Sequence, residues 1–178
     1  TCTLPRYSYH LYSILISSQW INYFEDQCKF VYSLNEKIKS ITTVRLHSED
    51  YGWDQLLRWT KKFPNLNYDL NKKPLIHQLR KAKLVVSTYN ATTFLESMSM
   101  NIPTVIFWNP NHWELREDSI PFYEELEKAK IFHKNSISAA NHINLVFEEL
   151  EIWWNSDQVQ SIKNLFLQRY CRNEDRLV

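Results

Sequence analysis

Leu84 to Trp108 read LVVSTYNATTFLESMSMNIPTVIFW, and this stretch decides the fold class. Residues 84–88 form a short apolar run rich in β-branched side chains, which is typical of a strand, and residues 92–101 follow with helical spacing. Residues 103–108 are a second strand run, and its unbroken apolar character predicts a strand covered on both faces near the centre of a sheet. A strand, a helix and a strand in this order are the repeating unit of a parallel sheet.

The same alternation continues on both sides of this stretch. We therefore predict an α/β fold, a Rossmann-like doubly wound parallel sheet with helices on both faces. No internal repeat, low-complexity tract or Pro/Gly/Ser-rich linker divides the sequence, so residues 1–178 are predicted to form a single domain. The further strands are predicted at residues 12–17, 41–47, 66–70 and 131–133, and the further helices at residues 18–40, 50–63, 74–82, 122–130, 138–150 and 153–170.

Charge and hydropathy exclude two classes of protein. Lysine and arginine number 21 against 20 aspartate and glutamate, so the formal net charge of +1 gives no general attraction to nucleic acid or anionic lipid. No apolar run reaches the roughly 18–20 residues that span a bilayer, and no signal peptide is recognisable. We therefore expect no transmembrane segment, no nucleic-acid partner and a cytoplasmic location. The start at Thr1 rather than Met suggests a fragment of a longer protein.

Glycine and cysteine usage excludes familiar phosphate and metal sites. With a single glycine, the chain has neither a P-loop nor a G-x-G-x-x-G turn, so any phosphate must be held by other groups. Cys2, Cys28 and Cys171 are far apart and form no paired ligand spacing, which favours free thiols over a zinc site or a disulfide framework. We expect neither a metal nor a cofactor.

Polar clusters follow four of the predicted strands, where open parallel sheets bind their ligands. They comprise residues 17–18, 47–48, 87–93 and 109–116. The third cluster surrounds a strand-to-helix junction, whose free N–H groups and dipole favour a phosphate. Its candidate phosphate-binding side chains are those of Ser87, Thr88, Asn90, Thr92 and Thr93.

Glu96 lies on the helical face of Thr92 and Thr93, where its carboxylate could accept hydrogen bonds from ribose hydroxyls. A simpler interpretation remains open for this cluster. Thr88 or Asn90 would then only cap the helix, and Glu96 would be a solvated helical residue.

Two further sets are candidate ligand groups. Arg45 and His47 lie two apart on a predicted strand and face the same side, where they could bind a base or a diphosphate. Alternatively, Arg45 snorkels from the sheet and His47 caps the next helix. The loop after residue 108 offers Asn109, His112, Glu114 and Arg116 for a sugar or phosphate, or is a structural loop held by its tryptophans.

These motifs resemble those of a known class of enzymes. Val44-Arg-Leu-His47, with the acidic and aromatic loop that follows it, resembles the His-Pro motif of GT-B sialyltransferases and Kdo transferases, with Ser48 in place of the proline. Ser87-Thr-Tyr-Asn-Ala-Thr-Thr-Phe-Leu-Glu96, followed by Asn101-Ile-Pro-Thr-Val-Ile-Phe-Trp-Asn-Pro110, is similar to their helix-opening serine/threonine motif. From Leu4 to Tyr170 the chain also resembles a family of bacterial surface-polysaccharide transferases.

The resemblance implies the C-terminal, nucleotide-sugar-binding domain of a GT-B glycosyltransferase that builds lipopolysaccharide, O-antigen or capsule. The donor would be a CMP- or UDP-linked sugar, and the acceptor a glycan or a lipid-linked molecule at the inner face of the cytoplasmic membrane. GT-B enzymes use a second, N-terminal Rossmann-like domain for the acceptor and often for the catalytic base. We expect that domain to lie outside this chain, so the chain alone is expected to be inactive and no catalytic residue is assigned.

A second hypothesis comes from a different class. The many Trp and Tyr side chains also suit a non-catalytic α/β module that binds a protein partner or a glycan. Nucleotide binding distinguishes the two hypotheses, because only the transferase domain requires it.

Overall fold

Short parallel strands form two sheets in the computed structural model, which describes residues 1–7 and 15–171. One sheet contains the first and second strands of the chain, in which Val44 pairs with Tyr68. The other sheet contains the third, fourth and fifth strands, in that order. All pairings are parallel, which confirms the predicted α/β, Rossmann-like fold class. The strands are β1 (Thr43–Arg45), β2 (Asn67–Asp69), β3 (Val85–Ser87), β4 (Thr104–Phe107) and β5 (Phe132–His133).

Helices connect and flank these strands. The chain alternates between strands and helices as predicted, although most elements are shorter than the sequence pattern indicates. The helices are α1 (Trp20–Ser33), α2 (Glu36–Ile41), α3 (Gln55–Lys62), α4 (Leu75–Leu79), α5 (Thr92–Ser99), α6 (Ile120–Lys128), α7 (Ser136–Val146), α8 (Leu150–Trp154) and α9 (Asp157–Tyr170), with 3-10 turns at Ser17–Gln19 and Phe147–Glu149.

The central position predicted for residues 103–108 is confirmed. β4 pairs with β3 on one side and with β5 on the other, and each of its four residues is buried. The ring of Phe107 stacks on Phe30 of α1 with centroids 4.9 Å apart. Trp108, at the end of the strand, packs on Phe132 at 4.7 Å and on Tyr123 at 5.5 Å.

The prediction of one long helix at residues 18–40 is wrong, because the helix is interrupted between α1 and α2. The Asn35 side chain caps α2 by accepting a hydrogen bond of 2.9 Å from the Ile38 N–H. Asn144 of α7 bridges the break, since its side chain accepts from the Asn35 N–H at 2.9 Å and donates to the Ser33 carbonyl at 2.7 Å. Apolar spacing continues across this break, so periodicity alone could not locate it.

Other predicted boundaries also differ from the observed ones. The helix predicted at residues 138–150 begins earlier, at Ser136, because Asn135 caps it. It also ends earlier, at Val146, where a 3-10 turn leads into α8. His47 lies beyond the end of β1. The strand predicted at residues 12–17 falls mainly outside the described residues, and its last residue, Ser17, begins a 3-10 turn.

A cleft of about 810 Å³ separates the two sheets, between β1 and β3. Its deep part, which we call the trough, is apolar. Its opening beyond the carboxyl ends of both strands, which we call the mouth, is polar. The trough is lined chiefly by Phe30, Val31, Leu34, Val44, Val86 and Ile143, and the mouth by Arg45, His47, Thr88, Tyr89 and Thr93.

The three cysteines are free thiols. Cys2 and Cys28 are buried, and burial raises the pKa of each thiol to about 11. Cys171 is partly exposed at the end of α9. Within the described part of the chain, no helix combines the length and the apolarity that crossing a membrane requires.

Two histidines lie together where β5 meets α7. The rings of His133 and His142 are 5.5 Å apart, and His142 makes an edge contact of 4.8 Å with Trp153. Burial, together with the neighbouring His133 and Lys130, lowers the pKa of His142 to about 4. Its Nε2 atom is buried without a hydrogen-bond partner, so His142 folds as a neutral ring.

We expect stability to fall in acid through His142. In the unfolded chain the ring takes up a proton below about pH 6.5, whereas in the folded chain it does so only near pH 4. The stabilisation is therefore complete above pH 6.5 and is lost as the pH falls towards 4. His142→Phe should reduce by ~1–3 kcal/mol the drop in unfolding free energy between about pH 7 and pH 4.5, measured by urea denaturation. The exposed His77, changed to Phe, is the control, and an unchanged drop in His142→Phe would refute the assignment.

Candidate functional site

Thr88 stands between two cavities at the carboxyl ends of the strands. It lines the mouth of the large cleft, and it also lines a smaller cavity of about 160 Å³. This small cavity lies beyond the ends of β3, β4 and β5, where parallel sheets bind ligands. It is lined by Tyr23, Asp26, Thr88, Phe107, Trp108, Asn109, His112, Lys134, Asn135 and Ser136.

The turn after β3 is held by its own hydroxyl and amide groups. The buried Ser87 hydroxyl donates to the Tyr89 carbonyl at 3.2 Å, and the Tyr89 hydroxyl lies 3.4 Å from Thr93 Oγ1. The Asn90 side chain accepts from the Tyr123 hydroxyl at 3.2 Å. Glycine-rich turns reverse the chain sharply between a strand and a helix because glycine has wide backbone freedom. Here these hydrogen bonds hold such a turn without glycine.

Neither Thr88 nor Asn90 caps α5. The N-cap residue is Ala91, whose backbone is extended and whose side chain has no hydrogen-bonding atom. The first N–H groups of α5 are therefore free of a side-chain cap, as a phosphate site at this helix end would need. Thr93 points to the mouth of the large cleft, whereas Thr92 and Glu96 are exposed and line neither cavity.

Tyr23 of α1 fixes the position of Thr88. Its hydroxyl lies 2.7 Å from Thr88 Oγ1 and accepts a hydrogen bond of 3.0 Å from the Cys2 N–H. Burial raises the pKa of Tyr23 well above its ordinary value, so the hydroxyl stays protonated. Either oxygen of the Tyr23–Thr88 pair can be the donor of their hydrogen bond. The N-terminal segment, α1 and the end of β3 are thereby joined at one buried atom.

Arg45 is anchored at the mouth by the neighbouring strand. Its guanidinium donates to Asp69 at 2.5 Å, to the Asn71 side chain and to the Lys73 carbonyl at 2.7 Å. The parallel register sets Arg45 beside Asp69, which brings the ion pair together. The charge of Arg45 is thus largely compensated before any ligand arrives.

His47 follows β1 at the mouth and belongs to a folded loop. Its Nδ1 accepts from the Glu49 N–H at 3.1 Å. The Asp50 carboxylate, rather than the His47 ring, accepts the hydrogen bonds at the start of α3, at 2.8 Å from the Asp54 N–H and 2.7 Å from the Gln55 N–H. Burial disfavours the Asp50 carboxylate, but these N–H donors outweigh it and hold the Asp50 pKa below its ordinary value.

The loop after β4 divides into an inner and an outer part. Asn109 and His112 line the small cavity, and Trp113 holds this part by packing on Trp108 at 6.1 Å. His112 Nδ1 is buried without a hydrogen-bond partner. Burial holds the pKa of His112 below its ordinary value, and the nearby Asp26 carboxylate offsets part of this effect.

Glu114 and Arg116 form the outer part and point to solvent. Arg116 has 85% of its side chain exposed and pairs with Asp118 at 3.3 Å. Neither residue lines either cavity. The structure therefore brings together only the first two of the four loop residues selected from the sequence.

Five polar lining residues of the small cavity escaped the sequence analysis: Tyr23, Asp26, Lys134, Asn135 and Ser136. Lys134 pairs with Glu127 at 2.6 Å and follows β5 directly, so the strand-end rule selects it when it is applied to the strand predicted at residues 131–133. Tyr23 and Asp26 belong to α1 and carry no motif. Within residues 1–7 and 15–171, no group of three or more His, Cys, Asp or Glu side chains could hold a metal ion.

The fold and the strand ends define a Rossmann-like α/β protein. The chain belongs to a family of transferases, because the family model described as LIC12162 family transferase matches residues 1–178, the whole chain. The comparison with curated proteins gave no match, and neither did the comparison with solved structures.

We expect the Tyr23–Thr88 hydrogen bond to stabilise the turn after β3. Tyr23→Phe and Thr88→Val each leave one hydroxyl without its partner, whereas the double variant removes both hydroxyls. A double-mutant cycle on the unfolding free energy should give a coupling of about 0.5–1.5 kcal/mol. The pair Tyr32→Phe and Thr92→Val, both exposed, should be additive. Additive effects in the first cycle would show that the two hydroxyls do not act together.

Proposed function

We propose that this chain is the donor-binding domain of a glycosyltransferase, which moves a sugar from a nucleotide-sugar onto a bacterial surface polysaccharide. One observation carries the proposal. Strand ends of the three-stranded sheet open into one small cavity whose lining offers a hydroxyl, an amide, an imidazole and an ammonium group, from Thr88, Asn109, His112 and Lys134. Membership of a transferase family supports it.

A phosphate group would bind at the Lys134 side of the small cavity, away from the Asp26 carboxylate that also lines it. Lys134 stands at its edge, directly before α7, and the N-terminus of this helix adds a partial positive charge. The Lys134 side chain is 55% exposed and that of its partner Glu127 is 38% exposed, so the pair is solvated and can give way to a phosphate. The diphosphate of a sugar donor would lie between Lys134 and the free N–H groups of α5, next to Thr88.

The mouth of the large cleft suits the nucleoside. Thr93 and Tyr89 offer hydroxyls for ribose, and His47 offers a ring beside Tyr51, with centroids 5.9 Å apart. Arg45 would act through Asp69 and Asn71 rather than as a free cation, because all three are already joined. We assign Ser87 and Asn90 to the support of the turn. Thr92 and Glu96 would contact the donor only after a shift of α5.

Transfer requires an acceptor and a group that activates it. A second Rossmann-like domain facing the strand ends would supply both and would close the two cavities against water. His112 is the group of this chain best placed to give or take a proton at the small cavity. We propose a glycan or lipid-linked acceptor on the basis of the sequence resemblance alone.

A nucleotide panel tests the proposal. Ligand-detected NMR with CMP-, UDP- and GDP-linked sugars should show binding of at least one class to the folded chain. Lys134→Gln should weaken that binding about tenfold or more, because a charge-assisted hydrogen bond to phosphate is lost. Lys128→Gln is the matched control, since Lys128 also pairs with a glutamate at the surface but lies outside both cavities.

The outcomes separate the two hypotheses. A folded chain that binds none of the nucleotide-sugars would overturn the proposal and favour a non-catalytic module. If Lys134→Gln and Lys128→Gln weaken binding equally, the nucleotide binds away from the small cavity. Thr92→Ala with Thr93→Ala then reports whether the start of α5 contacts the ligand.

A further inference from the structure

The trough between β1 and β3 is bordered by two strand edges that lack a ladder partner among the described residues. The Leu46 N–H donates to the Asp69 carbonyl at 2.9 Å, so the polar backbone groups of the preceding residue, Arg45, face away from β2. The Val85 N–H donates to the Pro103 carbonyl at 2.8 Å, so the polar backbone groups of Val86 face away from β4. Both sets of groups therefore border the cleft, which Val86 lines in the trough and Arg45 lines at the mouth.

The N-terminal residue lies at the carboxyl end of this trough. The Thr1 amino group donates to the Arg45 carbonyl at 3.0 Å, and the Thr1 hydroxyl lies 3.2 Å from the same oxygen. That carbonyl is one of the groups that face away from β2. A residue that donates its backbone nitrogen in this way makes one half of a parallel ladder pair with β1.

The walls of the trough fit a strand that is covered on both faces. Helices contribute Phe30 and Val31 from α1, Ile143 from α7, and Trp59 and Leu79 from α3 and α4. Strands buried between helices in parallel sheets are apolar on both faces. Filling the trough would also join the two sheets, because a single strand can pair with β1 on one side and β3 on the other.

We propose that the trough is the seat of a sixth parallel strand, an apolar segment of polypeptide that leads directly into Thr1. This strand runs parallel to β1 and β3 and makes one continuous sheet in the order β2, β1, new strand, β3, β4, β5. It leaves the mouth open, because its carboxyl end is Thr1. The inference rests on the strand edges and the position of Thr1, and it holds whether or not the mouth binds a nucleotide.

The experiment compares two extensions of the 178-residue chain. One adds about five alternating Val and Ile residues before Thr1, a usual strand length, and the matched control adds the same number of Gly and Ser residues. Hydrogen exchange of the Arg45 and Val86 amides is followed by NMR. Both amides should exchange at least ten times more slowly in the apolar extension than in the control.

Val86→Pro provides a second readout. Proline is tolerated on a strand edge without a partner, but it removes a ladder hydrogen bond where a partner is present. The substitution should therefore change the denaturation midpoint little in the Gly/Ser extension and should abolish the gain in midpoint of the apolar one. An equal effect in both chains would overturn the proposal.

Two other results would assign the trough to a different occupant. Protection that grows with protein concentration and accompanies dimer formation would place a second copy there. Protection of the same amides by decanoate, with none from the apolar extension, would make the trough a site for an alkyl chain. Either result refutes the strand.

Discussion

The burial of β4 is the constraint on which the rest of the structure depends. A strand with no exposed residue must be covered on both faces and must satisfy every polar group it carries. Stacking of Phe30 on Phe107 brings α1 onto one face. The buried Thr104 hydroxyl is satisfied by a hydrogen bond of 2.9 Å that it donates to the Ser97 hydroxyl of α5. Trp108 then carries this packing beyond the strand end, where it supports the loop that holds the small cavity.

The sequence predicts local elements well and long-range neighbours poorly. Residues 103–108 are identified as the central strand because their apolar run is unbroken, and the turn after β3 is found because hydroxyls collect at a strand end. Asp26 and Lys134 could not be predicted as neighbours, since only packing of α1 against α7 places them at one cavity. The partnership of Arg45 with Asp69 likewise depends on the register of β1 and β2, which no local pattern specifies.

The near absence of glycine is compensated by polar side chains and tertiary contacts. Tyr51, Asp54, Asn71, Asn101 and Lys130 all have positive φ, a conformation that costs roughly 1 kcal/mol or more in a residue with a Cβ atom. At Asn101 the surroundings stabilise this conformation, because the Trp154 indole donates to its carbonyl at 3.0 Å and the Lys163 ammonium donates to its side chain at 2.5 Å. The helices α8 and α9 are thereby fastened to the end of α5.

The unequal burial of the three thiols has a practical consequence. Alkylating reagents attack thiolates, and Cys2 and Cys28 are both enclosed and protonated at neutral pH in the folded chain. A maleimide fluorophore will therefore couple first at Cys171, at the end of α9, without any substitution of the other cysteines. The native chain carries its own single attachment point for distance measurements by energy transfer, with the buried tryptophans as donors.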